Sequence, residues 1–183
     1  MKILNLYACL GGNRLLWDNC EVTAVELYPE LARLYQERFP NDKVIVADAH
    51  QYLLDHFKEF DFIWSSPPCP THSKARFWGS KGGQCDVVYP DMTLYQEVIL
   101  LDNFFDGKYV VENVTPYYET LIPAKKRGRH LYWCNFNLPR AWPFRRRAPH
   151  TGAHGCRSRT RSACTADACT IWSTACRGPR SRD

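Results

Sequence analysis

The chain has 183 residues, 45% of them hydrophobic and 14% aromatic, enough for one domain with its own core; disorder throughout and collagen-like repeats are excluded. No apolar run reaches the ~18–20 residues of a membrane helix, and the stretch before Cys9 is shorter than the ~7–15 apolar residues of a lipoprotein signal. The net charge of +5 divides unevenly: residues 1–139 hold 14 Lys and Arg against 17 Asp and Glu, and residues 140–183 hold 10 Arg, no Lys and 2 Asp. Cys9, Cys20, Cys69, Cys85 and Cys134 are scattered and odd in number, as reduced thiols of a cytoplasmic protein would be.

In chain order, residues 2–7 form a short apolar run ended by Gly11-Gly12, the pattern of a buried strand and its turn. Residues 21–26, apolar and β-branched, read as a second strand. Residues 29–39 set Leu31, Leu34, Tyr35 and Phe39 near helical spacing, with Pro29 suited to a first turn. Residues 43–47 make a third strand, and residues 60–64 a fourth that stops at Pro67-Pro68. Residues 92–105 read as a helix, 109–112 as a fifth strand, and 131–136 as a sixth of antiparallel or edge type. This alternation predicts an α/β fold: an open, mostly parallel, Rossmann-like sheet with helices on both faces and ligands at the carboxyl ends of its strands.

Beyond Pro139 the periodicity ends. Cys156, Cys164, Cys169 and Cys176 form no Cys-x-x-Cys knuckle, so no metal site is expected despite His150 and His154. Residues 140–183 read as an Arg- and Cys-rich, irregular or disordered tail, a basic nucleic-acid tail, or the product of a shifted reading frame.

Four elements fall at strand ends. Gly11-Gly12 permits a close backbone approach to a ligand or simply a tight turn. Glu26, ending the second strand, is placed to accept both hydroxyls of a ribose. Asp48 follows the third strand and either accepts from an adenine amine or caps the next helix. Together these point to a nucleoside-containing cofactor. With no Gly-x-Gly-x-x-Gly, S-adenosyl methionine is favoured over a dinucleotide. The fourth element is Ser65-Ser66-Pro67-Pro68-Cys69-Pro70, where two prolines make a rigid corner that projects a thiol. Glu112-Asn113-Val114 then ends the fifth strand. Arg127 and Arg129 follow, sharing one side if their segment is extended.

These residues, in this order, resemble the DNA (cytosine-5)-methyltransferases, especially the compact bacterial and phage type. The resemblance runs from Lys2 to about Phe136. It is carried by Pro68-Cys69, by Glu112 to Val114, by Lys125, Arg127 and Arg129, and by a first loop, Tyr7 to Gly12, similar to the family's aromatic-Ala-Gly-x-Gly-Gly loop. It implies that Tyr7 stacks on the adenine of S-adenosyl methionine, Gly11 and Gly12 cradle its methionine part, and Pro68 borders the cofactor. Glu26 would hold the ribose and Asp48 the adenine amine. Cys69 would attack carbon 6 of a cytosine flipped out of double-stranded DNA, Glu112 would serve ring nitrogen 3, Arg129 would hold the ring carbonyl and Arg127 would support the site.

Residues 73–83, with Ser73, Lys74, Arg76, Lys81 and glycines at 79, 82 and 83, read as a mobile basic loop that closes on DNA phosphates. An ordinary exposed loop is the alternative. Four positions depart from the family pattern: Asn5 for Asp, Cys9 for Gly, Pro70 for Gln and Lys125 for Gln. Residues 140–183 are too short, and wrongly composed, for the usual target-recognition region and returning segment. The expectation is a catalytic domain over 1–139 that is incomplete, from a bacterial or phage-infected cell. Target recognition would then come from a second chain. Two other readings stand beside it. Ser66-Pro67-Pro68 is similar to the Ser-Pro-Pro-aromatic of exocyclic-amine methyltransferases, which explains neither Cys69 nor Glu112. A non-catalytic fragment that binds nucleic acid is the other.

Overall fold

The computed structural model describes residues 1–138. The expectations for residues 139–183, including the tail's character, lie outside the described residues. The described residues fall into two compact units, one of Met1–Gly11 with Asp18–Phe136, the other taking in Gly12–Trp17 and residues 137–138. In the second unit, Arg14–Leu16 makes a short 3-10 turn whose Arg14 guanidinium donates to the Trp17 carbonyl at 2.5 Å.

The first unit is an α/β sheet of seven strands. In chain order its elements are β1 (Lys2–Leu6), β2 (Glu21–Glu26), α1 (Pro29–Arg38), β3 (Lys43–Val46), α2 (Ala49–His56), β4 (Phe62–Ser65), α3 (Lys74–Lys81), α4 (Thr93–Phe104), β5 (Lys108–Val114), β6 (Lys125–Arg127) and β7 (His130–Cys134). The strand order is β3-β2-β1-β4-β5-β7-β6. The first five of these are parallel, β7 runs antiparallel to β5, and β6 antiparallel to β7. Chain order reverses between β1 and β4, so the crevice that such sheets offer a ligand lies at the carboxyl ends of these two strands.

Right-handed crossovers place α1 on one face of the sheet and α2 and α4 on the other. The core follows that division. Ala24 of β2 packs with Ala8 and with Tyr35 of α1. Its neighbour Val25 packs with Leu53 of α2 and Val98 and Leu101 of α4. Adjacent residues of one strand thus serve opposite cores, as the two-residue pleat requires. Leu4, Leu6, Leu53, Ile63 and Leu101 are fully buried, each contributing about 1.5–3 kcal/mol of hydrophobic free energy.

The elements expected from sequence are present, with shifted ends. β1 stops at Leu6 because Tyr7 takes φ +55°, outside the strand region. β4 begins at Phe62 because Phe60 still closes the 3-10 turn Phe57–Glu59. β5 runs on to Val114 because β7 pairs along it, Val114 opposite His130. All five described cysteines are free thiols.

Candidate active site

At the carboxyl end of β1 the backbone turns through three left-handed residues, Tyr7 (φ +55°), Cys9 (φ +47°) and Gly11 (φ +68°). Two of these are not glycine, and each costs about 1–3 kcal/mol unless its surroundings hold it there. For Cys9 the holder is Glu26. One carboxylate oxygen accepts from the Cys9 N–H at 2.8 Å and the other from the Tyr28 N–H at 3.1 Å. Glu26 is buried, so both bonds also satisfy a charge removed from water. Gly11 lacks a side chain for a packing reason. A Cβ there would come within 2.3 Å of Phe39 Cε2 and 2.8 Å of Tyr35 Cε2. Gly12 falls in the second unit.

Asp48 is exposed and is the N-cap of α2; its Oδ1 accepts from the Gln51 N–H at 2.8 Å. Tyr7 is tethered as well. Its hydroxyl donates to Glu97 Oε1 at 2.7 Å, and burial followed by the nearby Glu97 charge pushes its ionisation far above the usual phenol range.

On the other side of the switch point, β4 ends in Ser65 and the chain turns at Pro67, which is buried, to Pro68, Cys69 and Pro70, which are exposed. The side-chain N–H of buried Asn113 on β5 donates to the Pro67 carbonyl at 3.1 Å, pinning the turn two residues before the thiol. The Cys69 carbonyl accepts from the N–H groups of His72 and Ser73, both at 3.1 Å. Glu112, next to Asn113, is buried. Ser66 Oγ donates to its Oε2 at 3.4 Å and the Tyr132 hydroxyl to its Oε1 at 3.4 Å, with His130 Nδ1 at 3.8 Å. Tyr132 stands directly opposite Glu112 in the β5–β7 ladder. The antiparallel strand therefore brings a hydroxyl and an imidazole to the carboxyl group.

The basic residues depart from expectation in two places. Residues 73–83 are not a loop: Lys74–Lys81 is α3, with Ser73 as N-cap and Gly82 as C-cap. Lys, Ala and Arg favour helix, and two contacts fix it in place. Ser73 bridges Pro116, and the Phe77 ring stacks on Tyr117 with centroids 4.0 Å apart and planes 5° apart. Gly82 and Gly83 (φ +70°) end the helix. Lys74 is exposed, and Lys81 Nζ lies 4.9 Å from the Phe77 ring centre. The half-buried Arg76 helps line a cleft with Pro70, Phe77, Lys81, Tyr89 and Tyr117.

The second departure concerns the arginine pair. Only Arg127 is in a strand; Arg129 follows Gly128 (φ +58°) in the tight turn between β6 and β7 and is exposed. Alternation along one strand therefore does not relate them. The Arg129 carbonyl accepts from the Thr115 N–H and hydroxyl. Lys125 Nζ donates to the carbonyls of Cys134 and Phe136, a structural tie across the hairpin.

Residues 1–117 match the model of the C-5 cytosine-specific DNA methylases. The chain belongs to that family. The match takes in Tyr7, Glu26, Asp48, Cys69 and Glu112, and stops before Arg127 and Arg129. No curated protein matches the chain. Among solved structures it is similar to a Spodoptera frugiperda DNMT2 variant, at 22% identity and TM-score 0.44, over 62% of this chain and 35% of that one. A hypothetical protein of Thermus thermophilus is similar at 18% identity and TM-score 0.46, over 73% of both chains. An Escherichia coli prophage DNA modification methyltransferase is similar at 17% and 0.43, over 65% of this chain and 33% of that one. The chain spans about a third of the length of the DNMT2 chain. Its family assignment rests on the family match alone.

Sequence reading missed a polar cluster beneath the first loop. Glu97 of α4 is fully buried; besides Tyr7 it accepts from Ser65 Oγ at 2.6 Å and lies 3.2 Å from His50 Nδ1. The signal was a carboxylate among the inward-facing positions Leu94, Val98 and Leu101 of an otherwise apolar helix face. No group of three or more His, Cys, Asp or Glu able to hold a metal occurs among the described residues. Nor is any described helix long and apolar enough to cross a membrane.

Proposed function

We propose that this family member methylates carbon 5 of cytosine in double-stranded DNA through a covalent bond to Cys69, with S-adenosyl methionine as methyl donor. One observation carries the reading: the Asn113–Pro67 bond locks the strand end bearing Cys69 to the strand end bearing Glu112.

The residues present fit the cofactor. Each Glu26 oxygen accepts one backbone N–H and keeps a second lone pair for a ribose hydroxyl. Tyr7 offers a ring to the adenine, Asp48 an exposed carboxylate to its amine, and Pro68 an exposed apolar wall. Gly11 would receive the methionine part. Bound there, the cofactor supplies an electrophilic methyl group. The chain's own residues make carbon 5 able to take it. The Cys69 thiolate adds to carbon 6 of the flipped base, and Glu112 shares a proton at ring nitrogen 3 so that negative charge does not build up on the ring. Arg129 would hold the ring oxygen and Arg127 support it. After methylation, loss of the carbon-5 proton expels Cys69 and restores the ring.

Lys74 and Lys81 of α3, with Arg76, Tyr89 and the Ser73 cap, would meet DNA beside Cys69, combining cations for phosphates with an aromatic face for a base. We assign the catalytic domain to residues 1–139.

Duplex carrying 5-fluorocytosine tests this, because its carbon 5 has no proton to lose. With S-adenosyl methionine present, the wild type should form a denaturation-resistant adduct, and Cys69→Ala none. A wild type that binds S-adenosyl homocysteine and the duplex, yet gives no adduct, would leave a non-catalytic nucleic-acid-binding fragment as the reading.

A further inference from the structure

Glu97 lies outside every role assigned above, yet three donors from three elements converge on it. Tyr7 comes from the end of β1, Ser65 from the end of β4, and His50 from the first turn of α2. These are the switch-point strand ends and the helix that Asp48 caps. A fully buried carboxylate is tolerated only when its lone pairs are filled, and hydrogen bonds to a charged group are stronger than those between neutral groups. The Tyr7 bond is the one with a consequence at the surface. Tyr7 sits at φ +55°, a conformation a non-glycine residue leaves unless held.

We infer that Glu97 is a positioning residue of the adenosyl site, fixing the Tyr7 ring through its hydroxyl so that the face offered to adenine is set before the cofactor arrives. The inference rests on the cofactor reading above. His50 completes the device. Its imidazole faces Glu97 and Gln96 of α4, Asp48 of its own helix cap, and Asp91 before α4; the Glu97 hydrogen bond, partly opposed by burial, raises its pKa. Protonated, it pairs the Glu97 charge. Tyr7 and His50 share Oε1, so once His50 is neutral that oxygen accepts the Tyr7 hydroxyl more strongly and the hold on Tyr7 tightens. Cofactor affinity is therefore lower below the usual imidazole value of about 6.5 and climbs as pH rises through the raised His50 transition.

The test is calorimetric binding of S-adenosyl homocysteine to wild type, Tyr7→Phe, Glu97→Gln and the double variant, with circular dichroism to establish folding. Each single change should weaken binding about fivefold or more, and the double should be no weaker than the weaker single, since both break one interaction. The wild-type affinity should rise with pH through the His50 transition, and that slope should vanish in Glu97→Gln. Wild-type affinity in either single variant, or losses that multiply, would overturn the inference while leaving the cofactor reading intact. A wild type silent to S-adenosyl homocysteine overturns both. Should Glu97→Gln not fold, Tyr7→Phe decides alone: unchanged affinity and pH slope overturn the inference.

Discussion

The carboxyl ends of β1–β3 and those of β4 and β5 treat their polar groups differently. On the first side every candidate group has a fixed partner: Glu26 on two backbone N–H groups, Asp48 on its helix cap, Tyr7 on Glu97. On the second, Glu112 is buried while Cys69 and Arg129 are exposed. A small ligand gains from a site whose ordering entropy is already spent. A base entering from DNA needs reactive groups it can reach. The molecule thus sets the polar groups of the first side in place and leaves the thiol of the second accessible, with Asn113 holding Pro67 to tie the two strand ends of that second side together.

The sharpest way to break this comparison is to exchange losses between the sides. Cys69→Ala should abolish the 5-fluorocytosine adduct and leave calorimetric affinity for S-adenosyl homocysteine at the wild-type value. Glu26→Ala should abolish that affinity. If Cys69→Ala also lost cofactor binding, the two sides would be one interdependent site. Next in size is Gly11→Ala, where the new methyl group meets Phe39 and Tyr35 at a left-handed φ. Urea unfolding should show a loss of about 2–4 kcal/mol. Asn113→Ala leaves the buried Pro67 carbonyl without its donor, which should cost about 1–3 kcal/mol and slow adduct formation more than it weakens cofactor binding. Asp48→Ala removes the α2 cap, about 1 kcal/mol, read in the same unfolding experiment.

The smallest effects are in the pH dependence, where two histidines act in opposite senses. His72 is buried beside Tyr118, and burial, only partly offset by Asp91, lowers its pKa. The unfolded chain takes up a proton below about 6.5 that folded His72 resists, so stability falls as pH drops through that value. His50, raised by Glu97, contributes stability that is full below about 6.5 and lost as pH climbs through its folded value. Urea midpoints against pH should lose the acid decline in His72→Gln and the alkaline decline in His50→Gln.

Much of the fold was legible because buried parallel strands are apolar runs with punctuated ends. Lys43–Val46 and Glu21–Glu26 needed little beyond composition. Glu26 and Cys69 were legible as candidates for a related reason: an acid or a thiol directly after such a run stands at a strand end. The α3 helix was misread because its glycines and charges resemble a loop. What holds it there, Tyr117 under Phe77 and Pro116 against Ser73, comes from about forty residues further along. The shared side read for Arg127 and Arg129 failed because alternation assumes a continuous strand, and Gly128 turns the chain instead.

The amino-acid order alone determined the α/β class, the place of most elements, and which acids and thiol follow a strand, since these depend on periodicity and neighbours in sequence. Only the tertiary structure decided what each of those groups touches. That Glu26 is held by two backbone N–H groups, that Glu97 gathers Tyr7, Ser65 and His50, and that Tyr132 faces Glu112 all depend on strand order and register. Those are set when distant segments pack, by contacts that no local pattern encodes.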